Sequence, residues 1–152
     1  MTHPLVLLVD PRRTFREAFK AEARGFVRVL AFPDIPAAMA ALDRFQPSAV
    51  CASLIQAEDG TNGAEVCSIA RTSLGDGVFV AYGHAPKGKL PRSAASNLRE
   101  TCELSSVLVD DVSGAELLGE VCRLLGVDLK DDATDARFFA RVGIALRARV
   151  GA

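Results

Sequence analysis

The chain has 152 residues, 49% of them hydrophobic and 24% charged, with a formal net charge of -1. That size suits one globular domain of about 120 to 130 residues plus an appendage, and the near-neutral charge gives no general attraction to nucleic acid or to an anionic membrane. No apolar run approaches the roughly 18 residues of a membrane span. The opening Met1-Thr2-His3-Pro4 lacks the basic region of a secretory signal, so cytoplasmic residence is the expectation.

The four cysteines, Cys51, Cys67, Cys102 and Cys122, are scattered without a CxxC pair, and His3 and His84 are the only histidines. Metal-site spacing is absent, and the thiols fall in apolar or helical patterns that predict buried, unreactive cysteines. No metal and no cofactor are expected.

Leu5 to Val9 is an apolar run that ends in Asp10 and is bounded by Pro4 and Pro11. Such a run predicts a strand buried on both faces in the middle of a parallel sheet. In those sheets the working groups lie just past the carboxyl ends of the strands, where Asp10 falls. Pro11 can open a helix at its first position, with Asp10 or Thr14 as cap, and Phe15, Ala18, Phe19 and Ala23 follow at helical spacing to Gly25. Phe26 to Ala31 reads as a second strand. Asp34 then caps an Ala-rich helix over 37–42, and Pro47 closes the unit.

Residues 48–55 (SAVCASLI) give a third strand, and 56–63 a loop of turn formers. Helical spacing resumes over 64–72, and Gly75-Asp76-Gly77 turns the chain into a fourth strand over 78–82. A polar, basic loop, 83–91, precedes a helix from about Arg92 to Cys102. The fifth strand is read at 106–109. Ser113 and Glu116 then stand at capping-box spacing before an amphipathic helix that ends at Gly126. Strands alternating with helices in this way predict an α/β fold: a five-stranded parallel sheet, doubly wound, with right-handed crossovers.

With VLLVD at 6–10, Arg16 in the first helix, the Gly25-Phe26 turn, the stretch 31–50 and Asn62-Gly63-Ala64-Glu65-Val66, residues 4–126 resemble the receiver domain of bacterial two-component response regulators. The resemblance implies the flavodoxin-like receiver fold. It also implies a site with two acids after the first strand and an Asp at the end of the third. A hydroxyl follows the fourth strand and a lysine the fifth. In that family the acids hold Mg²⁺ through oxygen ligands, the third-strand Asp forms an acyl phosphate, and the hydroxyl and ammonium bind the phosphoryl oxygens and drive a switch.

Only Asp10 of that set is present. Pro11 stands at the second acid position, Ser53 at the nucleophile, Tyr82 at the hydroxyl, and Asp110 at the lysine, with Asp111 in place of the usual proline. A carboxylate at the lysine position repels a phosphoryl group. Asp10 and Asp110 with Asp111 or Asp59 could bring three oxygens together, but the preferred reading has Asp10 capping the first helix and the Asp110 pair favouring the N-terminus of the last. Ser53 reads as a hydrogen-bonded strand residue, and Tyr82 as a ring covering the edge of the sheet. His84 reads as solvated.

The expectation is therefore a non-enzymatic pseudo-receiver of residues 1–126. It would contact another signalling protein, or a second copy of itself, through residues 92–125, with Leu117, Leu118 and Val121 divided between core and surface. An enzyme on a flavodoxin-like scaffold is disfavoured, because Pro11-Arg12-Arg13-Thr14 lacks the glycines or hydroxyls that cradle a cofactor phosphate. Residues 127–133 read as an acidic linker and 134–152 as an Arg-rich extension whose pattern fits helix and strand equally. Within it Arg137-x-x-x-Arg141 resembles the first motif of PilZ domains, which implies cyclic di-GMP as an alternative ligand.

Overall fold

The computed structural model describes residues 3–55, 63–83, 97, 99–109 and 111–129. The expectations for Glu58, Asp59, His84, Asp110, Arg137 and Arg141, and for helix or strand over 134–152, fall outside the described residues. So does most of the helix read over 92–102, of which Asn97 and residues 99–101 are described and helical.

Chain order is β1 (Leu5–Val9), α1 (Arg13–Ala23), β2 (Arg28–Phe32), α2 (Ile35–Leu42), β3 (Ala49–Ser53), α3 (Gly63–Leu74), β4 (Val78–Tyr82), β5 (Ser106–Leu108) and α4 (Gly114–Leu125). The strands form one sheet in the order β2-β1-β3-β4-β5, and every pairing is parallel. β1, β3 and β4 are the inner strands, which explains their unbroken apolar sequences: both faces are covered by helices. β5 is an edge strand, and all three of its residues are half-buried.

Side-chain alternation divides the core into two layers. Val6, Leu8, Val80 and Tyr82 face Phe15, Phe19 and Ala23 of α1 and Leu117, Leu118 and Val121 of α4. Leu7, Val9, Val50 and Phe79 face α2 and α3. Leu117, Leu118 and Val121 are all fully buried and belong to the core, not divided between core and surface, while Ala115, Leu124 and Leu125 of the same helix pack against that layer and stay partly exposed. Val127 and Leu129, which the sequence placed in a linker, pack against the same layer.

Two helix caps form as their sequences dictate. The Asp34 carboxylate accepts from Ala37 N at 2.9 Å at the start of α2, and Ser113 Oγ accepts from Glu116 N at 3.1 Å at the start of α4. α4 ends at Gly126, whose φ of 75° suits only a residue without a Cβ penalty. The start of α1 differs from expectation. It begins at Arg13, not Pro11, and neither Asp10 nor Thr14 caps it: Arg12 is the capping residue and makes no side-chain cap. The physical reason is that the Asp10 carboxylate is committed to a buried site.

Gly63 fixes how α3 meets the sheet. A Cβ there would lie 2.4 Å from the carbonyl oxygen of Ser53 and 2.6 Å from that of Ala52. Only glycine lets the helix start press this closely against the end of β3.

Candidate functional site

The carboxyl ends of β1, β3 and β4 converge on Asp10. Its backbone N–H extends the ladder to Phe32 O at 3.1 Å, and the residue is 0% exposed. A carboxylate removed from water requires hydrogen bonds and a counter-charge. Both come from its own neighbourhood. Oδ1 accepts from Arg12 N at 2.8 Å and Arg12 Nε at 3.1 Å. Oδ2 accepts from Arg12 Nη2 at 2.8 Å and from the Tyr82 hydroxyl at 2.7 Å. The two-pronged guanidinium contact is the geometry in which arginine binds carboxylates most strongly.

Three further contacts hold this pair in place. The Arg12 guanidinium lies 4.6 Å from the centre of the Phe15 ring, a cation–π arrangement. Phe15 in turn stacks on Tyr82 with ring centres 5.1 Å apart and planes 20° from parallel. Arg16 Nη1 donates to the Asp10 carbonyl at 2.8 Å, tying the first helix to the strand end. The hydrogen bond to Asp10 raises the Arg12 pKa, and burial opposes it. Burial, reinforced by the negative charge of Asp10, pushes the Tyr82 phenol well above its usual range, so it stays a neutral donor.

Ser53 ends β3 opposite Tyr82 in register and is 4% exposed. Its Oγ accepts from Ile55 N at 3.3 Å, a local hydrogen bond at the strand end. Beside it lies a cavity of about 110 Å³ lined by Pro11, Arg12, Ser53, Ile55, Gly83, Asp111 and Val112. The structure thus brings Asp10, Pro11, Ser53 and Tyr82 to one end of the sheet. The expectation that Tyr82 covers the sheet edge is overturned: β4 is an inner strand and the ring is fully buried against α1.

The residue that sequence reasoning missed is Arg12. An Asp ending a strand buried on both faces must find a cation nearby, and Arg12, Arg13 and Arg16 are the nearest in the chain. That requirement was the available signal. The same contacts bear on the divalent cation that receiver domains hold. Asp10 carries four donors from Arg12 and Tyr82, Pro11 offers no ligand, and Ser53 is neutral. No group of three or more His, Cys, Asp or Glu suited to a metal occurs among the described residues. These residues do not fit the ion; a guanidinium takes its place.

Five parallel strands in the order 2-1-3-4-5, wound on both faces by helices, with the site at the carboxyl ends, define the flavodoxin-like fold of receiver domains. Solved structures agree. The response regulator DrrB of Thermotoga maritima superposes with a TM-score of 0.69 at 13% identity, over 83% of this chain and 54% of that one. A CheY-like receiver domain protein from Methanospirillum hungatei gives 0.69 at 12% identity, over 82% and 95%. The chemotaxis response regulator CheY4 of Vibrio cholerae gives 0.66 at 15%, over 81% and 99%. The likeness is one of fold. No family model matches the sequence, and no curated protein matches it. Among the described residues no helix is long and apolar enough to cross a membrane.

Proposed function

We propose that this protein is a pseudo-receiver: a receiver scaffold in signal transduction that takes no phosphoryl group and acts by binding other proteins. The observation that carries the reading is the Asp10 carboxylate, saturated by Arg12 and Tyr82. A metal-assisted phosphotransfer would have to strip off the guanidinium and the phenol first. Ser53 adds to this, because an acyl phosphate forms on a carboxylate and not on a hydroxyl. The charge state of the site is then constant, and association with a partner is what remains to regulate.

The receiver domain of DrrB, similar in fold, has a beryllofluoride-activated form, which makes that reagent the direct test. Beryllofluoride with Mg²⁺, added to the ¹⁵N-labelled chain, leaves the amide spectrum unchanged. Saturable shifts at Asp10, Ser53 and Tyr82 would overturn the proposal.

A further inference from the structure

We propose that the outer face of α1 is a docking surface for an acidic segment of another polypeptide. This goes beyond the function proposed above and holds whether or not the site accepts phosphate. Arg13, Glu17, Lys20 and Arg24 follow one another at intervals of four, three and four residues, which aligns them along one side of the helix. All four are exposed, while Phe15, Phe19 and Ala23 on the opposite side are buried. None of the four side chains makes an ion pair or hydrogen bond among the described residues. Arg28, the first residue of β2, is also exposed but commits its Nε to the His3 carbonyl at 3.0 Å.

Charge in this chain is segregated. Residues 11–28 hold six of the 18 basic residues and only two of the 19 acidic ones, so the remainder of a chain of net charge -1 is acidic. The α1 face is therefore a local positive stripe on an otherwise negative molecule. Beyond a Debye length of about 8 Å salt screens the attraction, so the stripe selects a partner by close contact and not by long-range pull. Guanidinium groups suit carboxylates, which they can grip with two parallel hydrogen bonds. Glu17, in the middle of the row, interrupts a continuous ladder of phosphates. A polypeptide accommodates it by placing one cation among its acids. The 11 residues of α1 span about 16 Å, the reach of about five extended residues.

The test is amide-shift mapping on the ¹⁵N-labelled full chain with a glutamate peptide of about 20 residues that carries one central lysine, at about 0.1 M salt. The proposal expects saturable shifts confined to residues 13–28 within about 1 mM peptide. It also expects at least a tenfold loss of affinity in the Lys20→Glu/Arg24→Glu double variant, whose circular dichroism stays that of the parent. Shifts spread equally over Arg44, Arg71 and Arg123, or binding unaffected by the double substitution, overturn it. So does tighter binding of duplex DNA or of phosphatidylglycerol vesicles than of the peptide. Binding that emerges only when Asp131, Asp132 and Asp135 are changed to Asn assigns the stripe to the chain's own acidic segment and overturns it as well.

Discussion

Replacing Arg12 with Met keeps most of the side-chain volume and removes the cation that faces a fully buried carboxylate. Breaking a buried ion pair by deleting one member costs about 3–5 kcal/mol when nothing rehydrates the other. Here the Arg12 side chain is 52% exposed, so water gains some access once it is gone, and Arg12 N and the Tyr82 hydroxyl still donate to Asp10. The expected loss is therefore smaller, about 2–3 kcal/mol, or about 5–10 °C in Tm for a chain of this size. Asp10→Asn costs a similar amount, because it discards the strong acceptor and leaves the guanidinium to turn outward. The double variant is the decisive measurement. Urea denaturation of the four proteins should show the double variant more stable than additivity predicts by at least about 1 kcal/mol, since the two side chains share one interaction. Additivity within about 0.5 kcal/mol, or a loss below that for Arg12→Met alone, would refute the argument that Arg12 is the internal counter-ion.

Tyr82 is the only tyrosine in the chain, so its ionisation can be followed by absorbance near 295 nm. Burial and Asp10 raise its pKa well above 10 in the folded protein, so phenolate should appear only as the protein unfolds. The sign follows: the stability that this neutral phenol contributes is complete below about pH 10, the unfolded value, and is lost as pH rises toward the folded one. A smooth native titration near pH 10 would contradict its burial. Tyr82→Phe keeps the stack on Phe15 but removes one donor from a buried carboxylate, with an expected cost of about 1.5–3 kcal/mol by chemical denaturation. Burial raises the thiol pKa of Cys51 and Cys67, and that of Cys122 to about 12. An aromatic disulfide reagent at pH 8 should therefore modify only half-buried Cys102 in the native protein, slowly, and all four in denaturant. Gly63→Ala forces a methyl against backbone oxygens that cannot swing away, and a loss of at least about 2–3 kcal/mol is expected in thermal unfolding.

The sequence was legible where local pattern and tertiary outcome coincide. The apolar run of β1 announced an inner parallel strand because a strand covered on both faces has no polar side to reveal. The Asp34 and Ser113 caps were readable because a cap involves a side chain and an amide only three residues away. Reading failed where partners are far apart or where one residue has two claims on it. Tyr82 lies 72 residues from Asp10, and a lone tyrosine at a strand end fits a sheet edge as well as a buried site. Asp10 looked like a helix cap because that is what an aspartate before a helix commonly does. It could serve only one role, and the low dielectric at the strand end made the counter-ion the stronger demand.

The sequence by itself determined the order and type of the elements, the parallel sheet, and the residues at the strand ends, a serine at position 53 and an acid at Asp10. These are properties of periodicity and of residue identity at counted positions. Only the tertiary structure decided that Arg12 folds back over that acid, that Tyr82 and Phe15 close the site from the side, and that Leu117, Leu118 and Val121 of α4 all go to the core. Those outcomes depend on which surfaces meet when helices pack on the sheet. A buried charge selects its partner through desolvation, an energy that exists only once the neighbours are assembled around it.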